Sequence, residues 1–281
     1  MNNLARPRII NGAFAKLGQF PYVVSLQHPE PSGPDYGPEP FCGGAILDEL
    51  HVITAAHCVT YNDTYRLAAQ PILVAAGTTD LSNLAIGFYR FVRQVFVPES
   101  YTHRTPERIF DDLAILRLQF PLPLRDYVSI GAVELPAFNE YLWPNRLNGV
   151  VAGFGDQEES EDEANPAPWL PYLKYARGII NARDNYYSCS AREVCFKAHG
   201  YIQGSLEGVC VGDSGGPLVV DGSSILVGII SYSEEEHCAT HQKFMRVSAY
   251  LEFIRKVLKN RIDYSIAHID LIQGSPTVVQ F

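Results

Sequence analysis

Short runs of β-branched and aromatic residues recur along almost the whole 281-residue chain, each closed off by turn residues. Tyr22-Val23-Val24-Ser25-Leu26, Val52-Ile53-Thr54, Ile72-Leu73-Val74, Phe91 to Val97 and Leu113-Ala114-Ile115-Leu116 fill the first half. Gly149-Val150-Val151-Ala152, Pro217-Leu218-Val219-Val220 and Ile225 to Ile230 continue the series. Many short strands with little helical periodicity between them predict an all-β sandwich or barrel architecture. The clear exception lies near the end. Between Val247 and Ile262, Leu251, Ile254 and Leu258 recur at three- and four-residue steps, the spacing of one buried helix face.

Three segments read as loops. His28 to Pro40 holds five prolines and two glycines and cannot pair as a central strand. Gln157 to Pro168 carries Glu158, Glu159, Glu161, Asp162 and Glu163, an acidic run that must stay solvated. Phe120-Pro121-Leu122-Pro123-Leu124 is a stiff connector at the middle, placed as a seam between two barrels. Beyond Ile262 no periodicity is visible, so the end reads either as a docked segment or as a mobile tail.

Hydrophobic residues make up 47% and charged residues 19%, enough apolar material for a core and too much for general disorder. A formal net charge of -9 argues against nucleic acid as a partner, and no apolar run is long enough to span a membrane as a helix. The six cysteines, at 42, 58, 189, 195, 210 and 238, contain no CxxC pair. An even set without metal spacing points to disulfides and an oxidising compartment, and spacing alone leaves the connectivity open. Met1-Asn2-Asn3-Leu4 lacks the basic and apolar regions of a signal peptide. The cysteines therefore predict a secreted, extracellular chain whose leader has been trimmed. Asn62-Asp63-Thr64 is a glycosylation sequon compatible with that setting.

Gly212-Asp213-Ser214-Gly215-Gly216-Pro217 is the strongest chemical signal. Its glycines allow a tight turn and close backbone approach to a bound carbonyl. A serine exposed on such a turn could attack that carbonyl while the amides of Gly212 and Ser214 hold the oxyanion. A hydroxyl at neutral pH needs a base, and Thr54-Ala55-Ala56-His57-Cys58 offers one. The base in turn needs a buried carboxylate, and Asp111-Asp112-Leu113-Ala114-Ile115-Leu116 sets an aspartate directly before an apolar strand. Taken singly, these read as a Gly-rich turn, a strand-end histidine and a turn aspartate.

Together, in the order His, Asp, Ser, they resemble the chymotrypsin-like (trypsin-fold) serine proteases. Arg8-Ile9-Ile10-Asn11-Gly12, Phe20 to Leu26, Cys42-Gly43-Gly44-Ala45-Ile46-Leu47, Ala152-Gly153-Phe154-Gly155 and Arg246-Val247-Ser248 extend the similarity from Arg8 to about Asn260. The resemblance implies two six-stranded antiparallel β-barrels packed face to face, with a C-terminal helix. The expected layout is an activation-peptide remnant at 1–8 and a protease domain at 9–260. Its barrels fall roughly at 9–125 and 126–246 and its helix at 247–260, with a C-terminal extension at 261–281.

By the same resemblance, Ser214 is the nucleophile, His57 the general base and then acid, and Asp112 the orienting carboxylate. Gly212 and Ser214 form the oxyanion hole. Asp111, its neighbour's partner in sequence only, is expected to face solvent. Cleavage between Arg8 and Ile9 would free an ammonium to pair with Asp213, so the chain is expected to be a zymogen activated by a trypsin-like protease. The disulfides implied are Cys42–Cys58, Cys210–Cys238 and Cys189–Cys195, the last closing an unusually short loop. Substrate-binding positions fall on Gly208, Ser231, Tyr232, Ser233 and Gln242. Gly208, at the pocket floor, supplies no carboxylate to balance a buried lysine or arginine, which predicts an uncharged P1 residue, elastase- or chymotrypsin-like.

A polypeptide substrate and protein protease inhibitors are the expected partners, with no cofactor. His237-Cys238-Ala239-Thr240-His241 looks like a metal box, but a disulfide would consume Cys238, and no metal is expected. The acidic runs at 158–163 and 234–236 read as solvated faces. The competing reading is a catalytically blocked serine-protease homologue that binds or regulates.

Overall fold

The computed structural model describes residues 12–29, 37–60, 70–103, 109–137, 147–155, 171–181, 189–199, 201–202, 205–206, 208–210, 212–233, 242–271 and 277–279. Six strands form the first barrel: β1 (Val23–His28), β2 (Glu39–Ile46), β3 (His51–Thr54), β4 (Leu73–Ala76), β5 (Phe88–Pro98) and β6 (Ala114–Leu118). They pair in the order β5-β4-β1-β2-β3-β6, all antiparallel, and β6 closes back on β5. The second barrel comprises β7 (Leu147–Gly153), β8 (Lys174–Asn181), β9 (Glu193–Ala198), β10 (Pro217–Val220), β11 (Leu226–Ser233) and β12 (Gln242–Arg246). Its order is β8-β7-β10-β11-β12-β9, and β9 closes on β8. The molecule is thus built on two closed six-stranded antiparallel barrels. Closure leaves no unpaired edge within either barrel.

Period-two alternation decides which side chains go where. Val24, Leu26, Val52, Val74, Val95 and Leu116 fill the first barrel. Val151, Ala176, Val194, Leu218, Ile230 and Phe244 fill the second. The alternate residues Val23, Ala45, Ile53, Ile115, Val150, Ala152, Val219 and Ile229 share one buried cluster with residues of the terminal helix. These strands are therefore buried on both faces. That is why the sequence shows continuous apolar runs instead of clean alternation.

The proline-rich loop is shorter at both ends than its composition suggests. Gln27 pairs with Pro40 and His28 with Glu39, beyond a register shift at Leu26/Gln27. A bulge at the ladder's end accommodates a residue that cannot donate. Leu122, in the central connector, is buried in the core of the first barrel.

The helix α1 (Leu251–Leu258) buries Leu251, Phe253, Ile254 and Val257, while Leu258 is only partly buried against the same cluster. After it the chain docks. The strand β13 (Ile266–Asp270) pairs antiparallel with β5, Ile266 opposite Pro98 and Asp270 opposite Gln94, and then with β14 (Thr277–Val279). Ile266 and Ile269 are buried. Lys256 on α1 meets Asp263 at 2.9 Å, which fixes the turn between helix and strand.

Candidate active site

His57 begins a single 3₁₀ turn (His57–Val59) directly after β3, and Asp112 lies in the turn that enters β6. Because β3 and β6 are ladder neighbours, with Thr54 opposite Ala114, the two turns emerge side by side. Asp112 is fully buried. Its Oδ1 accepts the His57 backbone N–H at 2.8 Å, and its Oδ2 accepts His57 Nδ1–H at 2.8 Å. The Ser231 hydroxyl donates to the same Oδ2 at 2.5 Å. The carboxylate thus sets the ring tautomer and leaves Nε2 free to act as a base.

Electrostatics follow from this contact. Burial disfavours the imidazolium, but the Asp112 charge and its hydrogen bond outweigh it and raise His57 above the ordinary histidine value. Burial likewise disfavours ionised Asp112, and His57 and Ser231 outweigh it, holding the carboxyl below its usual range. Each partner keeps the other's charged form in a site that would otherwise reject both.

The second barrel brings the serine. Gly212, with φ +86°, and Gly215, with φ +79°, make the left-handed bends of the turn around Ser214. A Cβ on Gly215 would lie 2.1 Å from Thr54 Oγ1, so glycine is required where the two barrels meet. The Ser214 carbonyl accepts Gly43 N–H at 2.7 Å, tying the turn to β2 of the first barrel. Cys58 Sγ is 3.7 Å from His57 Nε2 and 3.7 Å from that carbonyl oxygen, so one sulfur touches both the ring and the serine turn. Among the described residues no hydrogen bond yet joins Nε2 to the Ser214 hydroxyl; such contacts often tighten only with substrate bound.

Amide bookkeeping in this turn is selective. Asp213 N–H donates to Cys210 O, Gly215 N–H to Ile230 O and Gly216 N–H to Asp213 O. Among the described residues the amides of Gly212 and Ser214 have no protein acceptor. Asp213 itself is fully buried, with Oδ1 accepting Gly155 N–H at 2.8 Å and Oδ2 accepting Cys210 N–H at 3.0 Å. Gly153 is needed there, since a Cβ would come within 2.1 Å of Asp213 Oδ1.

Disulfides Cys42–Cys58 and Cys189–Cys195 are formed, and Cys210 is also disulfide-bonded, its partner lying outside the described residues. Cys42, His57 and Cys58 sit close enough together to suggest a metal, but bridged sulfurs are not thiolates and do not serve as zinc ligands. Arg8, Ile9, Cys238, the sequon at Asn62, His237, His241 and both acidic runs lie outside the described residues.

The proposed substrate-binding positions separate. Gly208 is buried, and Ser233 and Gln242 are register partners across β11 and β12. Tyr232 packs against the core of the first barrel and the cluster shared with the terminal helix, its hydroxyl donating to Glu193 Oε1 at 2.9 Å. Ser231 turns its hydroxyl inward to Asp112, a link that no local string announces, because the two are 119 residues apart.

Asp111 requires a correction. It is buried, not solvent-facing. At φ +55° its backbone bends left-handed, and its carboxylate receives Arg192 Nη1 on both oxygens, at 2.6 Å to Oδ2, and the Tyr250 hydroxyl at 2.9 Å.

A family model described as Trypsin matches residues 9–254, most of the chain. The chain belongs to the trypsin family. Among its relatives, rabbit (Oryctolagus cuniculus) coagulation factor IX is 32% identical over 258 residues, covering 88% of this chain and 83% of that protein. Human chymotrypsin-like elastase family member 1 is 30% identical over 261 residues, covering 89% and 92%. Serine protease SP24D of Anopheles gambiae is 29% identical over 264 residues, covering 90% and 82%. Among solved structures, human heparin binding protein superposes with a TM-score of 0.69 at 23% identity, covering 89% of this chain and 97% of that one; this likeness speaks for the trypsin fold.

Proposed function

We propose that this trypsin-family protein is a secreted serine endopeptidase that cleaves peptide bonds through an acyl-enzyme on Ser214. The observation that carries the reading is a buried Asp112–His57 pair beside the Ser214 turn, in which the Gly212 and Ser214 amides have no acceptor among the described residues. His57 Nε2 would take the Ser214 proton as Oγ attacks the carbonyl carbon, and the Gly212 and Ser214 amides would hold the oxyanion. His57 would return that proton to the leaving amine, and water would then release the acyl group by the same steps in reverse. Asp112 stays ionised throughout.

The chain would be made as a zymogen and activated by a trypsin-like protease cutting after Arg8, the new Ile9 ammonium pairing with Asp213. Disulfides support an oxidising, extracellular setting. The absence of a carboxylate at Gly208 supports an uncharged P1 residue. Protein protease inhibitors are the further partners of such a cleft.

A second reading is a blocked homologue that acts by binding. Its support is that a solved structure of the same fold is named for binding. Its structural neighbour's name speaks of heparin, but the net charge of -9 here opposes a polyanionic ligand. Treatment of the Arg8-cleaved chain with a fluorophosphonate decides between them: the enzyme is labelled on Ser214, and a blocked homologue stays unlabelled. A peptide-library profile then tests the pocket, and dominance of P1 Arg or Lys would overturn the uncharged preference.

A further inference from the structure

We propose that Arg192 is an electrostatic positioning residue for the His57–Asp112 pair, cancelling the Asp111 charge and clamping the turn that presents Asp112. The inference rests on His57 serving as the general base.

Two adjacent aspartates enter β6, yet they are treated differently. Asp112 finds its counter-charge in His57, from its own barrel. Asp111 finds its own in Arg192, which lies inside the short loop closed by Cys189–Cys195 and comes from the second barrel. The Asp111 carboxylate is buried while the Arg192 side chain is largely exposed, so the guanidinium reaches in from the surface to cover it. Tyr250, at the start of α1, donates from a third direction. Burial would raise the Asp111 carboxyl, but Arg192, Ser100 and Tyr250 together hold it below the ordinary carboxylate value. A disulfide-braced loop and the start of the terminal helix therefore converge on one side chain next to the orienting carboxylate. The left-handed backbone of Asp111 is fixed by these contacts.

Two further charged groups, Glu193 and Arg246, stand beside the node and are common to every variant in the test. Glu193, beside Arg192, is occupied by the Tyr232 hydroxyl and by Ser190 N–H at 2.7 Å. Arg246 binds the Arg192 carbonyl through its backbone amide. Tyr250 is pushed well above the ordinary tyrosine value by burial first and then by Asp111, so it stays neutral and donates. Arg192 and Asp111 are the charge pair at the node, and changing either alters its balance against that fixed background.

The test is the titration of the His57 imidazole by NMR in the full chain, assigned by the signal lost in His57→Ala. Arg192→Gln leaves one uncompensated negative charge and should raise the His57 midpoint by about half a unit. Asp111→Asn, tolerated because asparagine accepts a left-handed backbone, leaves the positive charge and should lower it by about as much. The double variant should return it to the parent value, and Arg192→Lys should leave it unchanged. A double variant displaced as far as Arg192→Gln, or an Asp111→Asn shift upward, would overturn the proposal, since a merely structural clamp gives no sign reversal. The titration needs no turnover. Failure of fluorophosphonate labelling would therefore sink the endopeptidase reading while leaving this one to be decided by its own data.

Discussion

Replacing Asp112 with asparagine tests how much of the site's chemistry depends on one buried charge. The carboxylate accepts three hydrogen bonds, from His57 N–H, His57 Nδ1–H and the Ser231 hydroxyl. An asparagine oxygen can keep the backbone bond, but its NH₂ then faces Nδ1 and Ser231. The hydroxyl can rotate and accept. The ring cannot, except by moving its proton to Nε2, the atom that must be free to take the Ser214 proton. Restoring the competent tautomer forfeits two charge-assisted bonds at about 1.5–3 kcal/mol each. At about 1.4 kcal/mol per tenfold, kcat should fall by about 10²- to 10⁴-fold with KM little changed. Folding should survive, because the side-chain volume is unchanged. The assay is steady-state hydrolysis of a neutral-P1 peptide ester by the Arg8-cleaved chain, with circular dichroism and melting as controls. A folded Asp112→Asn variant within about threefold of the parent kcat would refute the reasoning.

The pH profile should carry the same signature. Since Asp112 raises His57 above 6.5, the base form is lost as pH falls through that raised value; the acid limb of kcat/KM should lie above 6.5 in the parent and move down in Asp112→Asn. A limb at or below 6.5 in both would contradict it. Gly153→Ala should cost about 1–3 kcal/mol in urea melts by driving a Cβ into Asp213 Oδ1, and should weaken fluorophosphonate labelling more than it weakens folding. Truncation before Ser265 removes β13 and exposes the groove that Ile266 and Ile269 fill. At about 1.5–3 kcal/mol for each buried side chain, the melting temperature should drop by about 5–20 °C; an unchanged value would mean that the strand contributes nothing to the first barrel.

How much of this was legible in the sequence depended on distance along the chain. The all-β class could be read because doubly buried strands leave continuous apolar runs such as Leu113 to Leu116, and the serine turn because its glycines are dictated within a few residues by left-handed bends. Asp111 reads as solvent-facing from sequence because its partner, Arg192, is 81 residues away and is delivered by barrel packing. Ser231 looked like part of a substrate strand, and only the fold shows its hydroxyl on Asp112. The sequence leaves the last stretch open between a docked segment and a tail for another reason. Ile266 and Ile269 are three apart, matching neither period two nor a sustained helix, and their burial depends on β5 offering a partner. Pattern reads what a segment does alone; it misses what another segment supplies.

Rapid-quench mass spectrometry of the Arg8-cleaved chain, mixed with an activated neutral-P1 ester, reaches the central claim most directly. The account predicts a burst of about one acyl group per molecule on the peptide containing Ser214, absent in His57→Ala and decaying at the steady-state rate in the parent. An acyl group found on another residue, or formed equally well without the imidazole, would contradict it.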